Sequence, residues 1–173
     1  MKRRVLWYGF LVLGLLPAMW GQQAAAEETV YKDWALHCSE DPAGCILEQR
    51  VYVEGAEKTP LVHMAVRKLA REEGKGASRG LWVVLRVPLE VRLAAGLKLR
   101  VDGAAPRSIP FHHCRAEGCL ALFPLDSTFR RRLEAGREAM VTFETLGGQG
   151  IGVPVSLLGV KAGLAGLEKA SGF

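Results

Sequence analysis

Four side chains that could bind zinc, exchange disulfides or attack a carbonyl sit in one short stretch, "FHHCRAEGCLALF", at His112, His113, Cys114 and Cys119. Zinc needs deprotonated thiols, and C-x4-C lacks the paired C-x2-C spacing of common structural sites. Neighbouring histidines on a strand are expected to face opposite ways, which keeps them from sharing one ion. Neither a metal nor a cofactor is therefore expected. The same alternation separates His37 from Cys38 and His113 from Cys114. A thiol and an imidazole would have to meet from distant segments, for example His63 with one of the cysteines. There is no C-x-x-C redox spacing, and neither "SLLG" nor "LGGQG" makes a G-x-S-x-G nucleophile elbow. Asp33, Asp102 and Asp126 fall at strand ends or turns, where turn formation and helix capping account for them. The expectation is a protein that is not an enzyme.

The fate of the thiols depends on the compartment, and the amino terminus addresses that. Lys2, Arg3 and Arg4 precede an apolar run over residues 5–20, and small residues follow at Ala24 and Ala26. This order reads as a secretory signal peptide over residues 1–26, with cleavage after Ala26 and a mature chain from Glu27. The apolar run contains Pro17 and is sixteen residues long, short of the roughly 20 that a spanning helix needs. The expected localisation is periplasmic, with outer-membrane association or secretion also compatible.

Lys2, Arg3 and Arg4 leave with the signal, so twenty basic residues then face eighteen acidic ones. The overall basicity is largely a targeting feature, and a nucleic-acid partner is not expected. The one basic run, Arg130, Arg131 and Arg132, reads as the solvated face of a short helix.

Cys38, Cys45, Cys114 and Cys119 all lie in the exported part, where an even count points to pairing. Three connectivities are open. Turn residues favour Cys38 with Cys45 and Cys114 with Cys119: "CSEDPAGC" holds Asp41, Pro42 and Gly44, and "CRAEGC" holds Gly118. Closing such short loops stabilises the fold by roughly 2 to 2.5 kcal/mol each on a chain-entropy argument.

The elements that would position these residues are mostly strands. "TVYKDWALHC" and "CILEQRVYVEG" read as a hairpin clasped by its own disulfide, with Glu48 and Arg50 alternating against Leu47, Gln49 and Val51. Residues 61–66 read as a strand followed by a mobile polar loop through Gly80. "LWVVLRV" alternates cleanly until Pro88, which marks a break or an edge. Leu97 to Val101 makes a strand turned at Asp102 and Gly103, and Leu120 to Phe123 another. Asp126 caps a helix that runs through Ala135 and stops at Gly136. "EAMVTFETLGGQGIGVPVSLLG" reads as two strands around a glycine-rich turn, and residues 161–170 are weakly helical. The pattern predicts a mainly β fold: one antiparallel β-sandwich or barrel-like domain over residues 27–173, with a short helix and a weak C-terminal one.

"WALHC", "CILEQR", "VPLEVRLAAGLKLRVDG", "IPFHHCRAEGCLALFPLD" and "VPVSLLGVKAGLAGL", in this order from Trp34 to Leu167, resemble the invasion-associated locus B family of bacterial exported proteins. The departures are "PLEV" where the family more often has "PLGV", and a charged insert at residues 68–79. Glu90 in place of glycine implies a less tight turn after Pro88. The resemblance implies an exported protein of Gram-negative bacteria, periplasmic or associated with the outer membrane and linked in some pathogens to host-cell invasion. It implies no reaction. Two functions of different class follow: a noncatalytic module that binds a protein or cell-envelope component, or a thiol-dependent redox protein or enzyme using Cys114 and Cys119.

Overall fold

The computed structural model describes residues 28–39, 44–55, 59–69 and 80–172. The expected signal peptide, residues 40–43 between the first two cysteines and most of the charged insert lie outside them.

Strong β alternation builds two antiparallel sheets. The larger has seven strands in the order β1-β2-β3-β4-β5-β9-β8, and the smaller has four in the order β11-β10-β6-β7. In the larger sheet β1 is Glu28–Tyr31, β2 Trp34–His37, β3 Ile46–Val51, β4 Val62–Leu69, β5 Gly80–Val87, β8 Phe111–Arg115 and β9 Gly118–Pro124. In the smaller, β6 is Leu97–Val101, β7 Arg107–Ile109, β10 Glu138–Glu144 and β11 Gly150–Ser156. Helices α1 (Ser127–Ala135) and α2 (Val160–Ser171) pack at the sides.

The two-residue period of β5 shows how the sandwich forms. Leu81, Val83, Leu85 and Val87 are buried in the core shared by both sheets, while Trp82, Val84 and Arg86 point outward and are half-buried. Each core side chain of this size contributes roughly 1.5–3 kcal/mol through burial. Leu47, Met64 and Val66 extend the same inner face, and Leu99, Val141 and Val155 answer from the smaller sheet.

The local signals in the sequence hold closely. Asp126 accepts the Phe129 N–H at 2.8 Å as the cap of α1. Asp102 Oδ1 accepts the N–H groups of Arg137 at 3.2 Å and Glu138 at 3.1 Å. Gly136 ends α1, though with φ −76° rather than a left-handed conformation. Space selects it: a Cβ there would lie 2.6 Å from Val101 Cγ1.

Three expectations need correction. "TVYKDWALHC" forms two strands, because Lys32 (φ 56°) turns the chain and lets β1 fold back on β2. The turn after Pro88 is tight without glycine. Glu90 adopts φ 66°, held by Leu146 N–H to Glu90 O and Arg92 N–H to Glu144 O, both 2.8 Å. In the arginine run, Arg131 and Arg132 are exposed, but Arg130 is half-buried and ties the helices together. It pairs with Glu134 at 2.7 Å and with both oxygens of Glu168 on α2. These bonds raise its pKa further above the ordinary guanidinium value.

Candidate functional site

The "FHHCRAEGCLALF" stretch is the β8–β9 hairpin, with Cys114 directly opposite Cys119 in the ladder and bonded to it. Cys38 and Cys45 are joined in the same way at the end of the β2–β3 hairpin. No free cysteine is present. Gly118 closes the turn with φ 127°, and a Cβ there would lie 2.3 Å from the Val87 carbonyl oxygen. The staple is asymmetric: Cys114 is exposed, whereas Cys119 is buried.

The histidines depart from the alternation argument. The β8–β9 register shifts between Phe111 and His113, a bulge that breaks the two-residue period. The rings of His112 and His113 therefore meet, with their Nδ1 atoms 2.7 Å apart, one donating to the other. Both are on the outside of the hairpin, and neither approaches His63. Among the described residues no group of three or more His, Cys, Asp or Glu side chains is placed to hold a metal ion.

The structure brings together a different set of titratable groups, on the outer face of the larger sheet. Glu48 is only 5% exposed at the middle of β3. His63 Nε2 lies 2.7 Å from its Oε2, Arg50 Nη2 lies 2.5 Å from its Oε1, and His37 Nε2 stands 3.5 Å from Oε1. Burial pushes Glu48 toward protonation. The hydrogen bond and charge of His63, with the charges of Arg50 and His37, outweigh it and hold the carboxyl below its ordinary range. Among the described residues no hydroxyl or thiol is hydrogen-bonded to His63.

Strand register extends this cluster into a patterned surface. One row across β3, β4, β5 and β9 is Ile46, Arg67, Trp82 and Pro124; the next is Glu48, Ala65, Val84 and Leu122; the third is Arg50, His63, Arg86 and Leu120. No described helix or strand covers these rows. A cleft of about 340 Å³ opens beside the third row, between the β3–β4 hairpin and the disulfide turn, lined by Arg50, Pro60, His63, Arg86, Ala116 and Glu117 among others. A shallower one of about 490 Å³ lies on the other side of Arg50, over His37, Glu48 and Tyr52.

The sequence carried a usable signal for Glu48 and Arg50, since β3 alternation already placed them on one face. His63 was considered as a partner for a cysteine, and the register instead delivers it to Glu48.

Comparison with known proteins agrees with this architecture. The family model described as invasion associated locus B (IalB) protein matches residues 34–168. Invasion protein B homologs of Brucella abortus strain 2308 and of Brucella abortus biovar 1 strain 9-941 are each 29% identical over 147 residues, covering 83% of this chain and 80% of theirs. The crystal structure of invasion associated protein B from Bartonella henselae superposes with a TM-score of 0.70 at 18% identity, covering 86% of this chain and 100% of that one. At that identity the likeness speaks for the fold.

Proposed function

The chain belongs to the invasion associated locus B family, and from that premise we propose that it is an exported, noncatalytic binding domain whose recognition surface is the outer face of the larger sheet. The observation that carries this reading is the face itself. Arg50, Arg67, Arg86 and His63 stand there among apolar side chains in register over four strands, with no described helix or strand packed on them. Trp and Arg are residue types that concentrate in the energetic centres of protein interfaces. Export is supported by the basic and apolar amino terminus and by two disulfides, which persist in oxidising compartments. In this reading the protein works in the periplasm or against the outer membrane, and the names of its Brucella and Bartonella relatives connect it to invasion.

The test is site-specific photocrosslinking in the native host, with the reactive residue at Val84 on this face or at Met140 on the outside of the smaller sheet. Val84 is expected to capture an envelope component that Met140 does not. Equal capture at both positions, or none at Val84, would sink the reading.

One observation favours the redox alternative, the bond of Cys114, an exposed residue, to the buried Cys119, since attack on a disulfide requires access to it. A redox titration discriminates. Reduction of this bond between about −120 and −270 mV, the range of exchange proteins, would support exchange chemistry, whereas persistence below about −300 mV marks a structural staple.

A further inference from the structure

We propose that the partner held on this face is an acidic, amphipathic protein segment, with an apolar side chain flanked on each side by carboxylates. The inference rests on the reading that the outer face of the larger sheet is the recognition surface, and it assigns the chemistry of what docks there.

Charge comes first. The three rows carry Arg50, Arg67, Arg86 and His63 against a single carboxylate, Glu48, which is buried and already engaged by His63 and Arg50. Arg67 and Arg86 have no ion pair among the described residues. Arg67 carries a second signal: its Nε is buried and has no hydrogen-bond partner. Buried donors are nearly always satisfied, and an unfilled one beside an open surface marks a place for an incoming acceptor. Trp82 stands directly opposite Arg67 in the ladder, giving the same spot a broad apolar wall.

Spacing comes second. Arg67 and His63 are four residues apart on β4, and Arg86 is the β5 partner of His63. The two cationic rows are thus about 13 Å apart along the strands, with Ala65 and Val84 midway. An extended segment lying along β4 and β5 projects residues i, i+2 and i+4 to one side at the same pitch of about 6.7 Å. Acid, apolar, acid is the order that meets Arg67, then Val84, then Arg86. A lipid surface fits less well, because the middle row offers little apolar relief to an acyl layer: Ala65 is buried and Val84 and Leu122 are half-buried.

The probe is a soluble peptide of about a dozen residues with glutamate at i and i+4 and leucine at i+2. It is titrated into the processed protein and followed by amide chemical shifts and Trp82 fluorescence. Shifts are expected along β4 and β5, weakening as salt rises from about 0.05 to 0.5 M. Arg86→Glu should reduce affinity about tenfold or more, which corresponds to the loss of a well-placed charge contact. Arg67→Gln should weaken it severalfold with an unchanged melting temperature, while Lys98→Glu on the smaller sheet should leave it within about twofold. A peptide with lysine at both acidic positions should not bind. Equal binding of the two peptides overturns the proposal, as does Arg86-dependent binding of phosphatidylglycerol vesicles without binding of the acidic peptide. Capture at Val84 in the host that survives Arg67→Gln and Arg86→Glu together would keep the recognition surface and discard the acidic partner. Absence of both capture and peptide binding would discard both.

Discussion

Glu48 and Gln49 are consecutive residues on one strand, one buried and one half-buried; they point to opposite faces of it and satisfy their polar groups in opposite ways. Gln49 reaches the edge of the smaller sheet. Its Oε1 accepts the Ser156 N–H at 2.9 Å, and its Nε2 donates to the carbonyl oxygens of Ser156 at 3.1 Å and Asp33 at 2.8 Å. Trp34 Nε1 donates to the same Ser156 oxygen at 2.9 Å, and Ser156 Oγ to Asp33 Oδ2 at 2.5 Å. An amide both donates and accepts, so it can finish a backbone edge with no charge involved. Glu48 only accepts, and every partner the fold gives it is cationic or able to become so. The difference teaches where each side of β3 is specialised. The Gln49 side closes the sandwich through amide and backbone groups, whereas the Glu48 side leaves titratable charge on an open surface.

The largest expected effect lies on the closing side. Gly159 caps α2 with φ 95°, and a Cβ there would sit 1.8 Å from the Tyr31 carbonyl oxygen. Neither backbone can retreat, because Asp33 N–H is bonded to Leu158 O between them. Gly159→Ala should cost about 4 kcal/mol or prevent folding, a size reserved for steric or strain mechanisms. A urea midpoint within experimental error of the parent protein would break the claim that this corner fixes the two sheets. Gln49→Leu keeps the volume but leaves Ser156 N–H without its acceptor, and should cost about 2 kcal/mol. That loss should be the same at pH 5 and pH 8, which separates it from anything on the other face.

How far the sequence disclosed these two sides follows from the range of the interactions. Asp126 as a helix cap, Pro88 as the end of β5 and Gly118 in the stapled turn were legible, because each acts within a few residues of itself. Cysteine pairing was legible for the same reason. The Gln49–Ser156 bridge spans 107 positions, and only tertiary packing reveals it. The Glu48–His63 pair spans 15 positions and needs the β3–β4 register, which alternation alone leaves free. The meeting of His112 and His113 was misread because a bulge breaks the two-residue period on which the reading relied.

The next effect is smaller and pH-dependent. Glu48 has a folded-state pKa below the ordinary glutamate value, so its ionised form stabilises the folded protein at pH values above the ordinary carboxylate range. That contribution disappears as pH falls through the lower folded value. Glu48→Gln should therefore cost about 1–2 kcal/mol at neutral pH, through loss of charge-assisted bonds to His63 and Arg50. The gap between variant and parent should close progressively as acid is added. A gap that stays constant from pH 7 down to acid unfolding would mean that Glu48 acts as a neutral group, and the contrast with Gln49 would fail.

The smallest effect asks whether conformation or space governs the closing side. Glu90 and Gly159 both have positive φ, at 66° and 95°. Glu90 is exposed, and its turn is held by backbone bonds, so only the left-handed conformation is unfavourable there. An L-residue in that region costs about 1–2 kcal/mol, and glycine relieves it. Glycine also loosens the unfolded chain by about 0.4–1 kcal/mol. Glu90→Gly should thus stabilise the protein by about 0.5 kcal/mol, measured as a small rise in urea midpoint without a change in slope. The gap between this gain and the loss at Gly159→Ala then isolates the steric part of the latter, some several kcal/mol assigned to the Tyr31 carbonyl. If Glu90→Gly instead destabilises by more than about 1 kcal/mol, the glutamate side chain contributes an interaction of its own, and φ alone no longer explains the tight turn after Pro88.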